Sequence, residues 1–254
     1  MIIFIMLNNN FSKILDNTPL IAMIHLFGDN PVKQALDEIA IYEEEGVNAI
    51  IVENYSHKSD DYVVPILEAI SKTESKMVLG INILPNEFDQ SFILANRYDA
   101  GFIQLDHVAG LYSYGGSLPF NSYAAFKEKF NDVVVLGGVW PKYYVPIGRS
   151  NLTKDLTSAV KRAEAIVVTG NATGMPTPIS KIKSFKEVCK NHPLIIGAGI
   201  TSKNGYDSLL LSDGAIVGSS LKKGGVDSGN VDRYRVRDLV QLFEQVRSDK
   251  NNYS

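Results

Sequence analysis

The stretch Gly197-Ala-Gly-Ile-Thr-Ser-Lys203, with Gly218-Ser-Ser-Leu-Lys-Lys-Gly-Gly225 about twenty residues later, decides how the rest of the chain is read. Each is a glycine-rich turn directly behind a short apolar run, "PLIIGAGI" (193–200) and "DGAIVGSS" (213–220). Six earlier runs have the same character: "LIAMIHL" (20–26), "VNAIIVEN" (47–54), "MVLGINIL" (77–84), "AGFIQLD" (100–106), "DVVVLGGV" (132–139) and "AEAIVVTG" (163–170). Charged segments with helical spacing separate them, such as "VKQALDEIAIYEEEG", "DQSFILANRYDAG" and "PISKIKSFKEVCKN". Continuous apolar strands alternating with amphipathic helices predict a parallel sheet covered on its outer face. Their number and the chain length predict a single-domain α/β fold, a (β/α)8 TIM barrel over residues 1–254, with an open doubly wound sheet as the alternative. Residues 1–17 read as an N-terminal extension and 249–254 as a flexible tail.

The bulk properties narrow the function. With 254 residues, 45% of them hydrophobic, the chain can bury one full-sized core. A net charge of −3 gives no reason to expect nucleic acid. The single cysteine, Cys189, excludes an internal disulfide and fits a reducing cytoplasm, where the protein is expected. "MIIFIM" is too short for a membrane span and lacks the basic start of a signal peptide, and no other segment reads as an integral membrane segment. Homo-oligomerisation stays open.

In a barrel, functional groups gather where strands end, and the loops after strands seven and eight are frequent phosphate sites. The two quoted turns fall in those places. Gly197, Gly199 and Gly218 allow backbone N–H groups close to an anion, Thr201, Ser219 and Ser220 offer hydroxyls, and Lys222 offers charge. A phosphorylated small molecule is therefore the expected partner. The other strand ends supply a polar rim: His25, Glu53, Asn54, Asn82, Gln104, Asp106, Lys142, Thr169, Gly170 and Thr173. Glu53 is the expected acid/base group, because a carboxylate closing "AIIV" is desolvated unless it has a partner. Asp106 is its expected partner acid, with Lys142 and Asn82 assisting. Each has a bland alternative: Glu53 paired with a barrel lysine, Asp106 capping a turn, glycines that only permit tight bends. His25, His57 and His107 lack a His-x-x-x-His spacing, so no metal is expected, and nothing in the sequence calls for a cofactor. The loops 107–121 and 140–151, with Tyr112, Tyr114, Tyr143 and Tyr144, read as candidate lids.

"MIHL" (23–26), "IIVENY" (50–55), "LGINILPNE" (79–87), "VTGNATG" (168–174), "IIGAGITSKN" (195–204), "DGAIVGSSLKKGG" (213–225) and "VDRYRV" (231–236) together resemble the BtpA/SgcQ family over about residues 18–245. The resemblance implies a barrel of the ribulose-phosphate-binding type. It carries family-type positions onto Glu53, Asn54, Asn82, Lys142, Thr169, Gly170, Thr173, Gly174, Gly197, Gly199, Asn204, Gly218 and Lys222. It also implies a nucleosidase-like or sugar-linked activity in one branch and a role in photosystem I biogenesis in another. The chain departs from that pattern at Gln104, where Arg is usual, and at Asp106, where Asn is usual. It departs again at Gly137-Gly138, in place of Ala-Asp, and at Tyr143, in place of His. The expectation is an enzyme acting on a phosphorylated sugar, nucleoside or nucleotide, by cleavage or transfer at an anomeric C–N bond or as a sugar-phosphate isomerase or lyase. The departures at Gly138 and Tyr143 keep a non-catalytic assembly or regulatory factor as the alternative.

Overall fold

The computed structural model describes residues 18–27, 29–54 and 62–252. Eight parallel strands close into a barrel in chain order, so the closed reading holds and the open sheet does not. They are β1 (Leu20–His25), β2 (Ala49–Glu53), β3 (Val78–Asn82), β4 (Phe102–Leu105), β5 (Val134–Gly138), β6 (Ala165–Val168), β7 (Leu194–Ile196) and β8 (Ala215–Val217). Closure is made by β1 against β8, with Leu20 opposite Ala215 and Ala22 opposite Val217. The helices are α1 (Pro31–Glu45), α2 (Val63–Ile70), α3 (Phe88–Arg97), α4 (Phe120–Lys129), α5 (Leu152–Ala159), α6 (Ile179–Cys189), α7 (Gly205–Leu210) and α8 (Arg233–Asn252). Cys189 is buried at the end of α6.

Local chemistry explains several boundaries. The Asn30 side chain accepts the Lys33 N–H at 3.0 Å, Pro31 opens α1, and Gly46 ends it in the left-handed region at φ 86°. Asn151 caps α5 in the same way through Lys154 N–H. Helix α8 continues to Asn252, where a flexible tail was expected from 249. Its last turn is held because Tyr206 donates to Asp249 at 2.7 Å and Lys250 donates to Thr18 Oγ1 at 3.1 Å. The extension 1–17 lies outside the described residues. No helix among the described residues is long and apolar enough to cross a membrane.

Two cores follow from strand alternation. Outward residues such as Ile24, Val52, Ile103 and Val135 pack beneath the helices. Inward residues, including Ile21, Met23, Ile51, Phe102, Leu136, Val167, Ile195 and Ile216, fill the barrel. Phe102 lies over Gly80, where any Cβ would collide with its ring. The interior is therefore packed up to the last inward position of each strand, and what stands there faces an opening.

Candidate active site

The same alternation sets the floor of that opening. Continuing Ile21 and Met23 upward gives His25; Ala49 and Ile51 give Glu53; Gly80 gives Asn82; Phe102 gives Gln104 and then Asp106. Leu136, Val167, Ile195 and Ile216 lead to Gly138, Thr169, Gly197 and Gly218. Four positions without a Cβ or with a small side chain leave space on one side, while the acids crowd the other. The resulting cavity is about 550 Å³.

Glu53 is buried, next to Asn82 in the β2–β3 register, and Asn82 Nδ2 donates to Glu53 Oε2 at 2.7 Å. His25 Nε2 stands 3.9 Å from Glu53 Oε1. Burial pushes the Glu53 carboxyl up to about 7, and Asp106 adds to that push while Lys142 and the Asn82 hydrogen bond oppose it. Asp106 also titrates above the ordinary carboxylate range through burial, restrained by the hydrogen bond from Tyr144 and by Lys142. Tyr144 O–H donates to Asp106 Oδ2 at 2.7 Å. The His25 imidazole is held down to about 3 by burial first and then by Lys222 and Lys142, so it is neutral at physiological pH. The floor thus pairs a carboxyl that exchanges protons near neutrality with a neutral imidazole and a second buried acid.

Lys142 leaves the loop after β5. Its N–H donates to Thr169 Oγ1 at 2.8 Å and its ammonium to Thr173 Oγ1 at 2.9 Å. Tyr143 O–H donates to Thr173 Oγ1 at 3.1 Å and accepts Thr173 N–H at 2.9 Å. These contacts clasp the loops after β5 and β6 over the cavity. The loops expected to be lids are zipped to each other: Ser113 N–H donates to Val145 O at 3.0 Å, Ile147 N–H to Leu111 O at 2.9 Å, and Tyr112 bridges Pro146. The pairing joins the two loops into one continuous rim beside the cavity. Of its tyrosines, Tyr143 and Tyr144 reach the cavity, whereas Tyr112 is buried beneath it.

The expected residues divide accordingly. Glu53, Asp106, Lys142, His25, Gln104, Thr169, Thr173, Gly197, Gly199, Gly218 and Ser219 line the cavity, and Asn82 stands behind Glu53. Gln104 Oε1 has no partner among the described residues. Asn54 and Gly170 do not line it. Asn54 has outward parity on β2, and its side chain exchanges hydrogen bonds with the Leu84 backbone, tying two loops together. Gly170 packs against the Met175 and Pro176 carbonyls.

Within the anion set, Gly197 contributes space and not a donor, since its N–H bonds Val168 O at 2.8 Å. Thr201 turns into its own loop, accepting Asn204 N–H at 3.2 Å. Ser220 donates to Ile200 O at 2.6 Å and joins the two glycine turns. Lys222 departs most from expectation: its side chain is fully buried, 3.3 Å from Glu38 Oε1. Ser219 opens only a single 3-10 turn, Ser219–Leu221. His57 lies outside the described residues, and His107 is buried against Tyr112 and Tyr144 rather than on the floor. Sequence reading missed Asp227, which lines the cavity with its Oδ1 3.8 Å from His25 Nδ1. The only signal for it was an acid inside "KKGGVDSGN", a loop following the eighth strand.

The BtpA family model matches residues 17–245. The photosystem I biogenesis protein BtpA of a Synechocystis species is 27% identical over 270 residues, covering 96% of this chain and 94% of that protein. The putative sgc region protein SgcQ of Escherichia coli is 21% identical over 236 residues, covering 85% of each. Among solved structures, the alpha subunit of tryptophan synthase from Legionella pneumophila superposes with a TM-score of 0.64 at 12% identity, over 94% of this chain and 98% of that one. Phosphoribosyl anthranilate isomerase from Thermus thermophilus gives 0.61 at 15%, over 90% of this chain and 100% of that one. At such identities these two likenesses speak for the barrel alone.

Proposed function

The chain belongs to the BtpA family, and from that premise and the chemistry of the cavity we propose that it is an enzyme acting on a phosphorylated sugar or nucleoside. The observation that carries the reading is Glu53: a buried carboxyl at the cavity floor, poised at about 7, beside a second acid and opposite the glycine-lined end. The phosphate would lie against Gly199, Gly218 and Ser219, with Lys142 in the same lining to supply positive charge.

The preferred reaction is cleavage at an anomeric C–N bond. Glu53 in its acid form gives its proton to the departing nitrogen as the C–N bond breaks. Asp106, whose carboxylate form is favoured by the Tyr144 hydrogen bond and by Lys142 against the effect of burial, would stabilise the positive charge that grows on the sugar. Water then forms the new C–O bond and returns a proton to Glu53. An isomerase or lyase would use the same acid at a carbonyl or hydroxyl oxygen. A second reading, a non-catalytic factor that retains the ligand site, is favoured by the photosystem I biogenesis relative and by Gly138, which brings no side chain to the floor.

Thermal-shift screening against phosphorylated sugars, nucleosides and nucleotides, each beside its unphosphorylated counterpart, tests the proposal. A true ligand at a hundred times its Kd stabilises the fold by about 2.7 kcal/mol. Stabilisation that ignores the phosphate, or none across the panel, would remove the phosphate reading. Binding without turnover of any bound compound would favour the second reading.

A further inference from the structure

The turn after β8 runs into a loop, 222–231, that is closed at its base like a strap. Lys222 and Val231 form an antiparallel bridge, Lys223 N–H donates to Asn230 O at 2.8 Å, and Asp232 N–H donates to Leu221 O at 2.9 Å. The Lys222 side chain turns inward from that base. Its side chain is 0% exposed, that of Glu38 on α1 is 3% exposed, and the ion pair spans 3.3 Å. Gln34 Nε2 fixes Glu38 Oε1 from the next turn of the helix at 3.0 Å. Removing both charges from water is costly, and pairs of this kind often add nothing to stability over apolar residues of equal volume. Fold stability therefore does not explain why the lysine is there.

Its second contact does. Lys222 Nζ donates at 3.1 Å to the backbone carbonyl of Asp227, the residue whose carboxylate lines the cavity and faces His25. We propose that Asp227 is a third acid of the site, accepting a hydrogen bond from a ligand hydroxyl or amine beside His25, and that the buried Lys222–Glu38 pair is the latch that positions it. Lys222 is in these terms a positioning residue and touches no ligand. What Asp227 would bind rests on the reading of the cavity as a ligand site; the latch does not.

The test needs no substrate. Glu53 is faced by His25 from β1, Asn82 from β3, Asp106 from just past the end of β4, Lys142 from the loop after β5, and Asp227 from the strap. Asp227 raises the Glu53 midpoint, whereas a cation lowers a carboxyl's midpoint, so loss of the Lys222 charge by itself would move Glu53 upward and not downward. Carbon-13 NMR titration of the Glu53 carboxyl in the full chain is expected to show a lower midpoint in Asp227→Asn. It should show a lowering of similar size in Lys222→Met, because the strap releases the acid, and no further lowering in the double variant. Lys222→Met strands Glu38, so Lys222→Met/Glu38→Gln is the companion that removes both members of the pair.

An unchanged midpoint in Asp227→Asn overturns the assignment of Asp227. A midpoint that drops in Asp227→Asn but stays put in both folded Lys222 variants overturns the latch. If neither Lys222 variant folds, the pair is a fold determinant and the latch is likewise overturned. An empty ligand screen leaves these titrations untouched, so the two readings fail separately.

Discussion

Glu53 is where burial and function meet most sharply, and its titration gives a stability signature that no assay is needed to see. Its folded midpoint is about 7 against 4.5 for the ordinary group. Between those values the native state holds a proton that the unfolded chain has lost, so stability falls as pH rises from about 4.5 to 7. The size is about 3 kcal/mol, at roughly 1.36 kcal/mol for each pH unit between the two midpoints. His25, held down to about 3 from 6.5, works in the opposite sense: the unfolded chain binds the proton first, so stability falls as pH drops below 6.5. Between about 4.5 and 6.5 the two slopes oppose each other in the native chain. Glu53→Gln removes one of them. Urea unfolding at several pH values should show the variant gaining on the native chain from pH 4.5 to 7, by up to about 3 kcal/mol. A constant difference across that range would mean that Glu53 is not desolvated as its position implies. Once a substrate is in hand, the same variant should lose roughly 10²–10⁴-fold in turnover while still binding ligand. Turnover that survives Glu53→Gln but vanishes in Asp106→Asn would exchange the roles of the two acids.

Among the elements, the turns after β6 and β7 depend on each other, and Gly199 shows why. It sits at φ 78°, and a Cβ there would run into the Met175 carbonyl, a backbone group that cannot rotate away. Gly225 has a similar φ of 71° with nothing within 4 Å of the added carbon. Both substitutions to Ala incur left-handed strain, roughly 1–2 kcal/mol, but only Gly199→Ala also forces two loops apart. Urea unfolding should therefore show Gly199→Ala as the more destabilising of the two; equal losses would mean that the loop contact is slack. The glycine-rich turn is legible in the sequence as a place needing glycine, yet the reason lies in a neighbouring loop. Spacing marks Gly199 as a place of close backbone approach but does not reveal that the Met175 carbonyl is one of the groups that approaches. Strand alternation carries more. Counting in twos along "LIAMIH" and "AIIVE" places His25 and Glu53 inward with the barrel residues, and it places Asn54 outward. The same parity, counted to the end of every strand, excludes Asn54 and Gly170 from the site on the sequence pattern alone.

At the scale of the molecule, eight apolar runs with helical intervals specify the barrel because each strand is buried on both faces and needs no long-range information to be recognised. Asp227 and Lys222 lack such a signal. The acid reaches the cavity on a strap, and the lysine turns inward because α1, almost a whole chain away in sequence, offers Glu38. The same non-local logic governs the opposite, amino-terminal end of the barrel, where the last helix fastens the first strand. Arg247 on α8 donates to Thr18 O at 3.2 Å and to Asn48 Oδ1 at 2.5 Å, and Asn48 Oδ1 also accepts Leu20 N–H at 3.0 Å. One guanidinium thus gathers the start of β1 and the approach to β2, holding α8 against the strand that closes the barrel on β8. In this architecture the amino-terminal face serves stability and the opposite face serves function. Arg247→Met keeps the stem but removes hydrogen bonds from a charged donor, each worth roughly 1.5–3 kcal/mol. The unfolding free energy should fall by a loss of that order, read as a lower urea midpoint with the slope m unchanged, and the affinity of any ligand found by the screen should not move. Unaltered stability would mean that closure does not depend on this tie. Weakened ligand binding in a folded Arg247→Met would instead show the two ends of the barrel to be coupled, against the separation of stability and function on which the site assignment relies.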